Sequence, residues 1–384
     1  MAHMFLCSLL AGAAVAAQAG DPFPLWTPDR PVPAAEAAPQ VQGAWFSVIQ
    51  PHAPDTDGYP WLHGVALAWH KGRLYASFGR NKGAENTAGE IAQGRVSCDG
   101  GKTWGPLFTI DTGEEPDLAV SHGVFLSQGG ALWAFHGAFY GKMRDVHTRA
   151  YQYDAATGAW RKHGVVVEGG FWPMQEPRCM ADGNYIMAGV RVGNGYGGAD
   201  DPAAVAISVG DDLTQWELVE IPKPAEMEMW GESSVLLDGA RILNIARWRE
   251  PMALAAVSED YGRTWTTMRR TNLPMAASKP YAGTLSTGWR YLVCTTTADS
   301  GNRRAPLTIA VSSGNEPIFS RIWRIRGAVH DGPGESRDNG ALSYPYAVEH
   351  DGLLYVGYSN DGGRGHNHNS AELAVIPVAA LAGN

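Results

Sequence analysis

The pattern S-x-D-x-G-x-T-W occurs twice in the sequence, as Ser97-Cys-Asp-Gly-Gly-Lys-Thr-Trp104 and as Ser258-Glu-Asp-Tyr-Gly-Arg-Thr-Trp265. In each copy the serine and aspartate can hydrogen-bond with the backbone of the turn, and the glycine permits a positive φ angle. The tryptophan offers a large apolar ring that can pack the turn onto a sheet. Two complete copies therefore predict the same tight turn in two places, as expected of a fold made from repeated sheets.

Six segments share a second form, in which an apolar strand, a glycine-containing turn and another apolar strand follow one another. Each of them predicts a β-hairpin with a short turn. The six segments begin at Leu62, Ser121, Gln175, Gly231, Lys279 and Tyr344. Incomplete copies of the turn pattern begin at Ser208, Ser312 and Ser359. Together with Ser258 they recur about every 50 residues, which is the length of one propeller blade.

These repeats predict an all-β fold, a seven-bladed β-propeller formed by residues 20–384 as a single domain. About 365 residues divided by a blade of about 50 residues gives seven blades rather than six. Strand-like segments at residues 43–49 and 372–377 lie near the two ends of the chain, and we expect them to close the ring. A six-bladed propeller is the alternative.

The composition argues against nucleic acid and membrane as partners. The net charge of the 384 residues is −9, whereas a nucleic-acid-binding surface needs a basic face. After the N-terminus no apolar run reaches the ~18 residues of a membrane span. The start of the chain combines a short apolar run with Ala17-Gln18-Ala19, a small-x-small cleavage pattern. We therefore predict a signal peptide at residues 1–19 and a secreted or periplasmic monomer.

The inner strands of a propeller line its central channel, so residues at their starts and in the loops beside them converge on one face. The starts of the six predicted hairpins carry His63, His122, Glu176 with Arg178, Glu232, Tyr281, and Tyr344 with Tyr346. The loops after the second strands add Arg80, Asn81, His136, Tyr140, Arg144 and Arg247. A histidine at a strand end is often only a structural hydrogen-bonding group. Two histidines in the same register, each followed by glycine, favour a functional site.

The S-x-D-x-G-x-T-W turn resembles the Asp-box of sialidase-like β-propellers. A member with sialidase activity would carry Arg-Ile-Pro near its start, three arginines for the substrate carboxylate, a Tyr–Glu pair as nucleophile and an aspartic acid on an early loop. The sequence has no Arg-Ile-Pro, and the early blades offer His63 and His122 instead. The resemblance therefore implies the fold, with the six-bladed sialidase type as the alternative, and leaves the activity open.

The chain also resembles seven-bladed lyases that act on rhamnosyl-glucuronate ends, their ulvan-lyase relatives and related α-L-rhamnosidases. The resemblance rests on the blade period, on His63 at the start of the first inner strand, and on the segments Trp230-Gly-Glu-Ser-Ser234 and Ser278-Lys-Pro-Tyr-Ala-Gly283. It implies that a histidine of the first blade and a tyrosine or arginine of the second do the chemistry. His63 matches the first, whereas His122 stands where a tyrosine is expected.

From this resemblance we predict a polysaccharide lyase that cleaves a rhamnose–glucuronate linkage by β-elimination. The catalytic candidates are His63, His122, Tyr140 and Arg144. A cationic or amide side chain would neutralise the uronate carboxylate, and His63, with a pKa near neutrality, would accept the adjacent proton. The candidates for binding a uronate-containing oligo- or polysaccharide are Arg80, Asn81, His136, Arg178, Glu232, Arg247, Tyr281 and Tyr346. No cofactor is expected, and a structural metal ion at His366 and His368 stays open.

Two other functions stay open. An α-L-rhamnosidase or an exo-sialidase would hydrolyse a glycosidic bond on the same propeller, and Glu176 and Glu232 could then act as a carboxylate pair. A non-catalytic glycan-binding propeller is the third hypothesis, because the Asp-box by itself guarantees no activity.

Overall fold

The computed structural model describes residues 21–193, 200–314 and 318–382. Within these residues the strands form six antiparallel blades of four or five strands, which follow one another along the chain. The predicted signal peptide, residues 1–19, lies outside the described residues.

The first three blades are built from consecutive strands. Strand β1 (Trp45–Gln50) precedes them, followed by a short helix α1 (Pro54–Asp57). The first blade contains β2 (Trp61–His70), β3 (Arg73–Asn81), β4 (Ile91–Ser97) and β5 (Phe108–Asp111). The second contains β6 (Leu118–Gln128), β7 (Ala131–Tyr140), β8 (Arg144–Asp154) and β9 (Ala159–Val167). In the third, the strands are β10 (Phe171–Pro173), β11 (Arg178–Cys179), β12 (Tyr185–Arg191), and, after β13 (Asp200–Asp201), β14 (Ala203–Val209) and β15 (Asp212–Glu220).

The last three blades repeat this plan. A short strand β16 (Met229–Trp230) pairs with β13 in parallel. The fourth blade contains β17 (Ser233–Asp238), β18 (Arg241–Ala246), β19 (Met252–Ser258) and β20 (Arg269–Pro274). The fifth contains β21 (Tyr281–Thr284), β22 (Arg290–Cys294), β23 (Leu307–Ser312) and β24 (Phe319–Arg326). The sixth contains β25 (Leu342–His350), β26 (Leu353–Asn360), β27 (Ser370–Pro377) and, as its outermost strand, β1. A 3₁₀ helix (Val378–Ala382) follows β27.

The all-β propeller and its closure by the two chain ends are confirmed, and the number of blades is six, the alternative, rather than seven. Five of the six predicted hairpins are the inner pairs of their blades, whereas in the third blade the segment from Gln175 covers β11 and β12 but not β10, the innermost strand. The terminal strands make no seventh blade, because β1 pairs with β27 and completes the sixth. Blade length also varies. The first strands of the six blades begin at residues 61, 118, 171, 233, 281 and 342, so most blades are longer than the 50 residues assumed for one blade. Ser359, counted as a turn residue, lies inside β26.

The segment before β1 lies along the outer edges of the fourth and fifth blades. Phe23 forms an isolated parallel bridge with Thr271, and Trp26 forms one with Phe319. Asn272 Oδ1 accepts hydrogen bonds from the backbone N–H groups of Leu25 and Trp26, each at 2.8 Å. The segment therefore covers strand edges that would otherwise present unpaired backbone groups to solvent. The seven-blade estimate had counted the residues of this segment toward another blade.

Both complete turn motifs have the hydrogen bonds that their sequence predicts. In the first, Ser97 Oγ donates to Asp99 Oδ1 at 2.7 Å and accepts from the Gly101 N–H at 2.7 Å. Asp99 also accepts from the Thr103 N–H at 2.9 Å and hydroxyl at 2.6 Å. These hydrogen bonds lower the pKa of Asp99 to about 2, since they favour its charged form. The copy at Ser258 repeats the same bonds within 0.1 Å.

The inner strands are buried on both faces because each blade packs against its neighbours. All but one of the ten residues of β2 are buried. Irregular pairing interrupts three inner hairpins near their starts, between His63 and Ala66, between Val120 and Gly123, and between Ser343 and Tyr346. Because a bulge redirects the side chains around it, these interruptions turn polar residues of the first, second and sixth blades toward one end of the channel.

The Asp-box of the first blade should depend on Gly101 for two separate reasons. Its φ is +91°, and a Cβ there would lie 2.4 Å from Leu373 Cδ2 on the sixth blade. Gly72, in the β2–β3 turn, has φ +73° with nothing within 4 Å of the same position. We expect Gly101→Ala to lower the free energy of unfolding by about 2–5 kcal/mol, from backbone strain plus overpacking.

Gly72→Ala is the matched control and should lose only about 1–2 kcal/mol, the cost of the left-handed backbone. Urea unfolding of the two variants and the parent measures both values. Equal losses in the two variants would contradict the packing of this turn against the sixth blade.

Candidate active site

A cavity of about 320 Å³ lies where the inner strands of the blades begin. Every blade contributes at least one side chain to its wall, so the cavity exists only in the closed ring. In order from the first blade to the sixth, the wall includes His63, His122, Trp172, Glu232, Arg304 and Tyr344. The site is therefore built from residues that are far apart in the sequence.

A tyrosine, a glutamate and an arginine form a hydrogen-bonded cluster in this cavity. Tyr344 Oη donates to Glu232 Oε1. Arg247 Nη1 donates to the same Oε1 at 2.7 Å and to Tyr344 Oη at 3.2 Å. Burial raises the pKa of Tyr344, and the Glu232 carboxylate raises it further. The phenol therefore keeps its proton in the resting site, next to a carboxylate that can accept it.

A break in the β25–β26 pairing places Tyr344 in the cavity. Ser343 pairs with Ser359 and Tyr346 with Gly357, so Tyr344 and Pro345 have no partner in β26. Tyr344 has φ +51°, a left-handed backbone that is unusual for a tyrosine. Pro345 has no N–H to leave unpaired, which suits it to such a break. Strained backbone of this kind concentrates at functional sites.

Arg304 is a second cation in the cavity wall, and it forms no ion pair with a described residue. Its Nη2 donates to the backbone carbonyl of Ala277 at 2.9 Å. Burial lowers the pKa of Arg304, and the charge of Arg247 lowers it further. Arg249 also lines the cavity but pairs with Glu228 at 2.9 Å. A half-buried guanidinium without a counter-ion favours an anionic ligand.

The loop between β3 and β4 adds a carboxyl group at the rim of the cavity. Glu85 lines the cavity and accepts a hydrogen bond from Asn367 Nδ2 at 2.8 Å. Burial raises the pKa of Glu85 above its usual value of 4.5. The loop is held from below by Glu90, which accepts from the Asn86 N–H at 2.5 Å. Glu85 is therefore positioned to hold a proton that it can give to a bound molecule.

His63 is neutral and lies beside the Tyr344 ring, with the two ring centroids 3.9 Å apart. Asn369 Nδ2 donates to the Leu62 carbonyl at 2.6 Å and lies 3.1 Å from His63 Nδ1. Because a carbonyl only accepts, this amide must present N–H groups, so His63 Nδ1 accepts and the ring proton sits on Nε2. Burial lowers the pKa of His63 well below 6.5, and the charges of nearby groups, His122 first, lower it further. This lowered pKa does not agree with the near-neutral base that the sequence predicted at His63.

The wall near His122 is apolar. His122 packs against Trp172 with ring centroids 4.9 Å apart, and burial lowers the pKa of His122 to about 3. Around them lie Met143, Met174, Val190 and Val192. A ligand in this cavity therefore meets charged groups on one side and an apolar surface on the other.

Of the twelve residues predicted to act in catalysis or binding, four meet in this cavity: His63, His122, Glu232 and Arg247. The other eight do not line it. Arg80 pairs with Asp57, Asn81 bonds Ala84 and Thr87 within its own loop, and His136 Nδ1 lies 2.7 Å from the Ser121 carbonyl. Tyr140 donates to Glu115 at 2.6 Å, and the Arg144 guanidinium lies near Gly141.

The last three of these candidates, Arg178, Tyr281 and Tyr346, form a separate cluster around Glu176 deeper in the channel. Glu176 accepts from Tyr281 Oη at 2.6 Å and pairs with Arg178 at 2.7 Å. Tyr346 packs on Tyr281 with ring centroids 4.6 Å apart. Glu176 and Tyr346 line a different cavity of about 250 Å³, which is also lined by the far half of β2. Arg178 is thus paired with a glutamate of its own blade, and Glu176 and Glu232 do not share one cavity.

The sequence analysis missed Arg304 and Glu85 and gave no special role to Tyr344. Arg304 follows Arg303 in a loop, and nothing in the sequence says which of two adjacent arginines faces the channel. Glu85 lies in a glycine-containing loop without a repeat signature. Tyr344 and Tyr346 stand two residues apart, which in a regular strand puts both on one face. Only the break in the β25–β26 pairing places Tyr344 in the active-site cavity and Tyr346 outside it.

Neither a metal cluster nor a membrane-spanning helix is found in the part of the chain that the structure describes. No three His, Cys, Asp or Glu side chains there are grouped to hold a metal ion. His366 and His368 have ring centroids 6.2 Å apart, and His368 stacks on His52. No described helix is long and apolar enough to cross a membrane.

Residues 72–356 match the family model described as a BNR repeat-like domain. No curated protein matches the chain. Among solved structures, a protein of unknown function from Dyadobacter fermentans has a TM-score of 0.65 and 15% identity, over 88% of this chain and 100% of that one.

Two sialidases are similar in fold as well. The Hadza microbial sialidase Hz136 has a TM-score of 0.64 and 14% identity, over 85% of this chain and 67% of that one. Trypanosoma rangeli sialidase, solved with 2,3-difluorosialic acid as a covalent intermediate, has a TM-score of 0.64 and 14% identity, over 90% of this chain and 60% of that one. At these identities the likeness shows the propeller fold alone.

Proposed function

The chain belongs to the family of BNR repeat-like domains, and from that membership and the Tyr344–Glu232 pair we propose that it is an exo-acting glycoside hydrolase for a terminal sugar acid. The pair carries the proposal. A phenol hydroxyl becomes a competent nucleophile when a neighbouring base takes its proton, and Glu232 is bonded to that hydroxyl. The uronate lyase and the rhamnosidase predicted from the sequence are the competing functions.

The charges in the cavity support an acidic substrate. Arg304 has no carboxylate partner among the described residues, and Arg247 stands beside it, bonded to Glu232. A sugar carboxylate would supply the missing counter-charge. If that carboxylate sits on the anomeric carbon, as in sialic acids, a carboxylate nucleophile would be repelled, whereas a neutral phenol would not. The Tyr–Glu pair thus supports a glycoside of the sialic-acid type.

The reaction then runs in two steps. In the first, Tyr344 Oη attacks the anomeric carbon and its proton passes to Glu232, while Glu85 gives a proton to the departing oxygen. In the second, Glu85 takes a proton from water, which attacks the same carbon. The bond to Tyr344 breaks, and the phenolate recovers its proton from Glu232. Arg247 stabilises the negative charge on Glu232 and Tyr344, which its Nη1 contacts.

The site departs from the sialidase pattern at the first blade. Arginine is expected there as one of three carboxylate ligands, and this chain has His63 at the start of the first inner strand. His63 is neutral and lies beside Tyr344, and Arg249, the third arginine of the cavity wall, is paired with Glu228, so Arg247 and Arg304 would hold the substrate carboxylate. Weaker binding of the carboxylate, and tolerance of acids other than sialic acid, follow from this difference.

The secreted or periplasmic location, the monomeric state and the uronate specificity stay predictions. A uronate would carry its carboxylate away from the anomeric carbon. It would then have less need of a neutral nucleophile, and β-elimination would require a base. Because their pKa values are lowered, His63 and His122 are neutral at pH 7 and are weak bases.

The products distinguish the competing reactions. We expect the protein to release free sialic acid from a sialylated oligosaccharide with no new ultraviolet absorbance. Chromatography of the released sugar and an absorbance scan measure both. An unsaturated uronate band from a rhamnosyl-glucuronate substrate would instead establish the lyase, and release of rhamnose would establish the rhamnosidase. Binding without turnover on any of these glycans would contradict all three activities.

Tyr344→Phe should lower kcat/KM by at least ~10²-fold, since it removes the nucleophile and its transferable proton. Glu232→Gln should lose a similar factor because the amide cannot take the proton. Tyr346→Phe, two residues along and outside the cavity, is the matched control and should keep the parent rate. Thermal unfolding checks that all three variants fold. A Tyr344→Phe variant with parental turnover would refute the proposed nucleophile.

Glu85 should set the alkaline limb of the pH profile. As a general acid it works only when protonated, so kcat/KM falls as pH rises through the pKa of Glu85, which burial raises above 4.5. Glu85→Gln should remove this limb and cost ~10²-fold or more on a sugar leaving group. An aryl leaving group, which departs without a proton, should lose much less. Glu226→Gln, on an exposed residue, is the control, and equal losses on both substrates would contradict the role of Glu85.

A further inference from the structure

A second cavity of about 590 Å³ opens beside the candidate active site. It lies between the loop before β23, the loop before β25 and the loop after β26. Arg304 and Asn367 line both cavities, so the two are adjacent. Neither the predicted site residues nor the Tyr344–Glu232 cluster accounts for this space.

We propose that the second cavity binds the neutral sugar that leaves when the glycosidic bond is cleaved. The inference rests on the proposed function and specifies its substrate: an acidic sugar joined to at least one neutral sugar, rather than to an apolar group. Three observations carry it, namely the position of the cavity, the chemistry of its wall and the way its loop is held.

The position follows from Glu85. The departing oxygen must lie within hydrogen-bond reach of this acid, and Asn367, which donates to Glu85 at 2.8 Å, is one of the two residues that line both cavities. A sugar attached to that oxygen therefore extends past Asn367. Another part of the active-site wall is formed by Trp172 and its apolar neighbours, which offer a sugar few hydrogen-bonding groups.

The wall of the second cavity suits hydroxyl groups. Its only apolar members are two alanines, so an aryl or lipid group would gain little burial there. Arg303 and Asp338 are exposed, and neither forms an ion pair with a described residue. Asn369 is 2% exposed, and its Oδ1 has no hydrogen-bond partner among the described residues. A sugar hydroxyl both donates and accepts, so it can satisfy a cation, an anion and an amide oxygen together.

The loop that forms the floor is held in place before any ligand binds. The Asp361 carboxylate accepts from the backbone N–H groups of Ala341 at 2.7 Å, Gly363 at 2.8 Å and Gly365 at 3.2 Å. His366 and Asn367 both have φ +53°, two successive left-handed residues that are not glycine. Such a conformation persists only where surrounding contacts enforce it. A rigid loop lowers the entropy lost when a sugar binds.

The test compares two substrates with the same acidic sugar, sialyllactose and 4-methylumbelliferyl sialoside, in Arg303→Ala and Asp338→Ala. We expect kcat/KM for sialyllactose to fall roughly tenfold in each variant, mainly through KM, as for the loss of a hydrogen bond to a charged group. The aryl substrate should be unaffected. Arg337→Ala and Asp331→Ala, on exposed residues outside the cavity, are the matched controls. Equal changes on both substrates, or none on either, would overturn the proposal.

A second measurement keeps the two proposals separate. If the parent cleaves neither substrate, the proposed function fails, and lactose alone then probes the cavity by ligand-observed NMR. Binding of lactose to the parent that Asp338→Ala and Arg303→Ala abolish would support a neutral-sugar site without the hydrolase. Absence of lactose binding to the parent, or binding that both variants retain, would overturn the site.

Discussion

The pairing of β1 with β27 is the interaction on which the molecule depends, because it ties the two ends of the chain into one ring. Trp45 lies opposite Val375 and Phe46 opposite Ala374 in this pair. An open ring would leave the first and last blades each with one uncovered face and would expose their strand edges. The cavity takes side chains from every blade, so the same closure that stabilises the fold assembles the site.

The second constraint is the cost of burying charge. Glu232 and Arg247 are each less than one-tenth exposed, and a buried pair is costly unless its remaining polar atoms find partners. Tyr344 supplies one partner, whereas Glu232 Oε2 and Arg247 Nε have no hydrogen-bond partner among the described residues. Arg304 stands close by without an ion-pair partner among the described residues, although Glu85 and Asp201 line the same cavity. Under the proposed function, the carboxylate of an acidic sugar would be that partner.

The channel carries two glutamate–arginine pairs, and their surroundings differ. Glu176 and Arg178 are bonded to each other and to Tyr281, and their cavity has Leu67, Phe125 and Val348 in its wall. Glu232 and Arg247 face a cavity that also holds Arg304 and Glu85. The first pair is neutralised by its own neighbours, which is typical of a structural cluster. The second has both a proton acceptor and a proton donor within one space, which is what acid–base chemistry requires.

The sequence by itself determined the features whose chemistry is local. The Asp-box turns follow from Ser, Asp, Gly and Thr within eight residues, and the six hairpins follow from short apolar runs around a glycine turn. It also pointed to His63, His122, Glu232 and Arg247, because strand starts in a propeller share one face. The tertiary structure decided the number of blades, since strand pairing and not chain length assigned β1 to the sixth. It also decided which residues line the candidate active site: Tyr344 and not Tyr346, Arg304 and not Arg303, and Glu85 from the β3–β4 loop. These positions depend on a break in strand pairing and on the paths of loops from different blades. The two-residue period of a strand predicts neither of them.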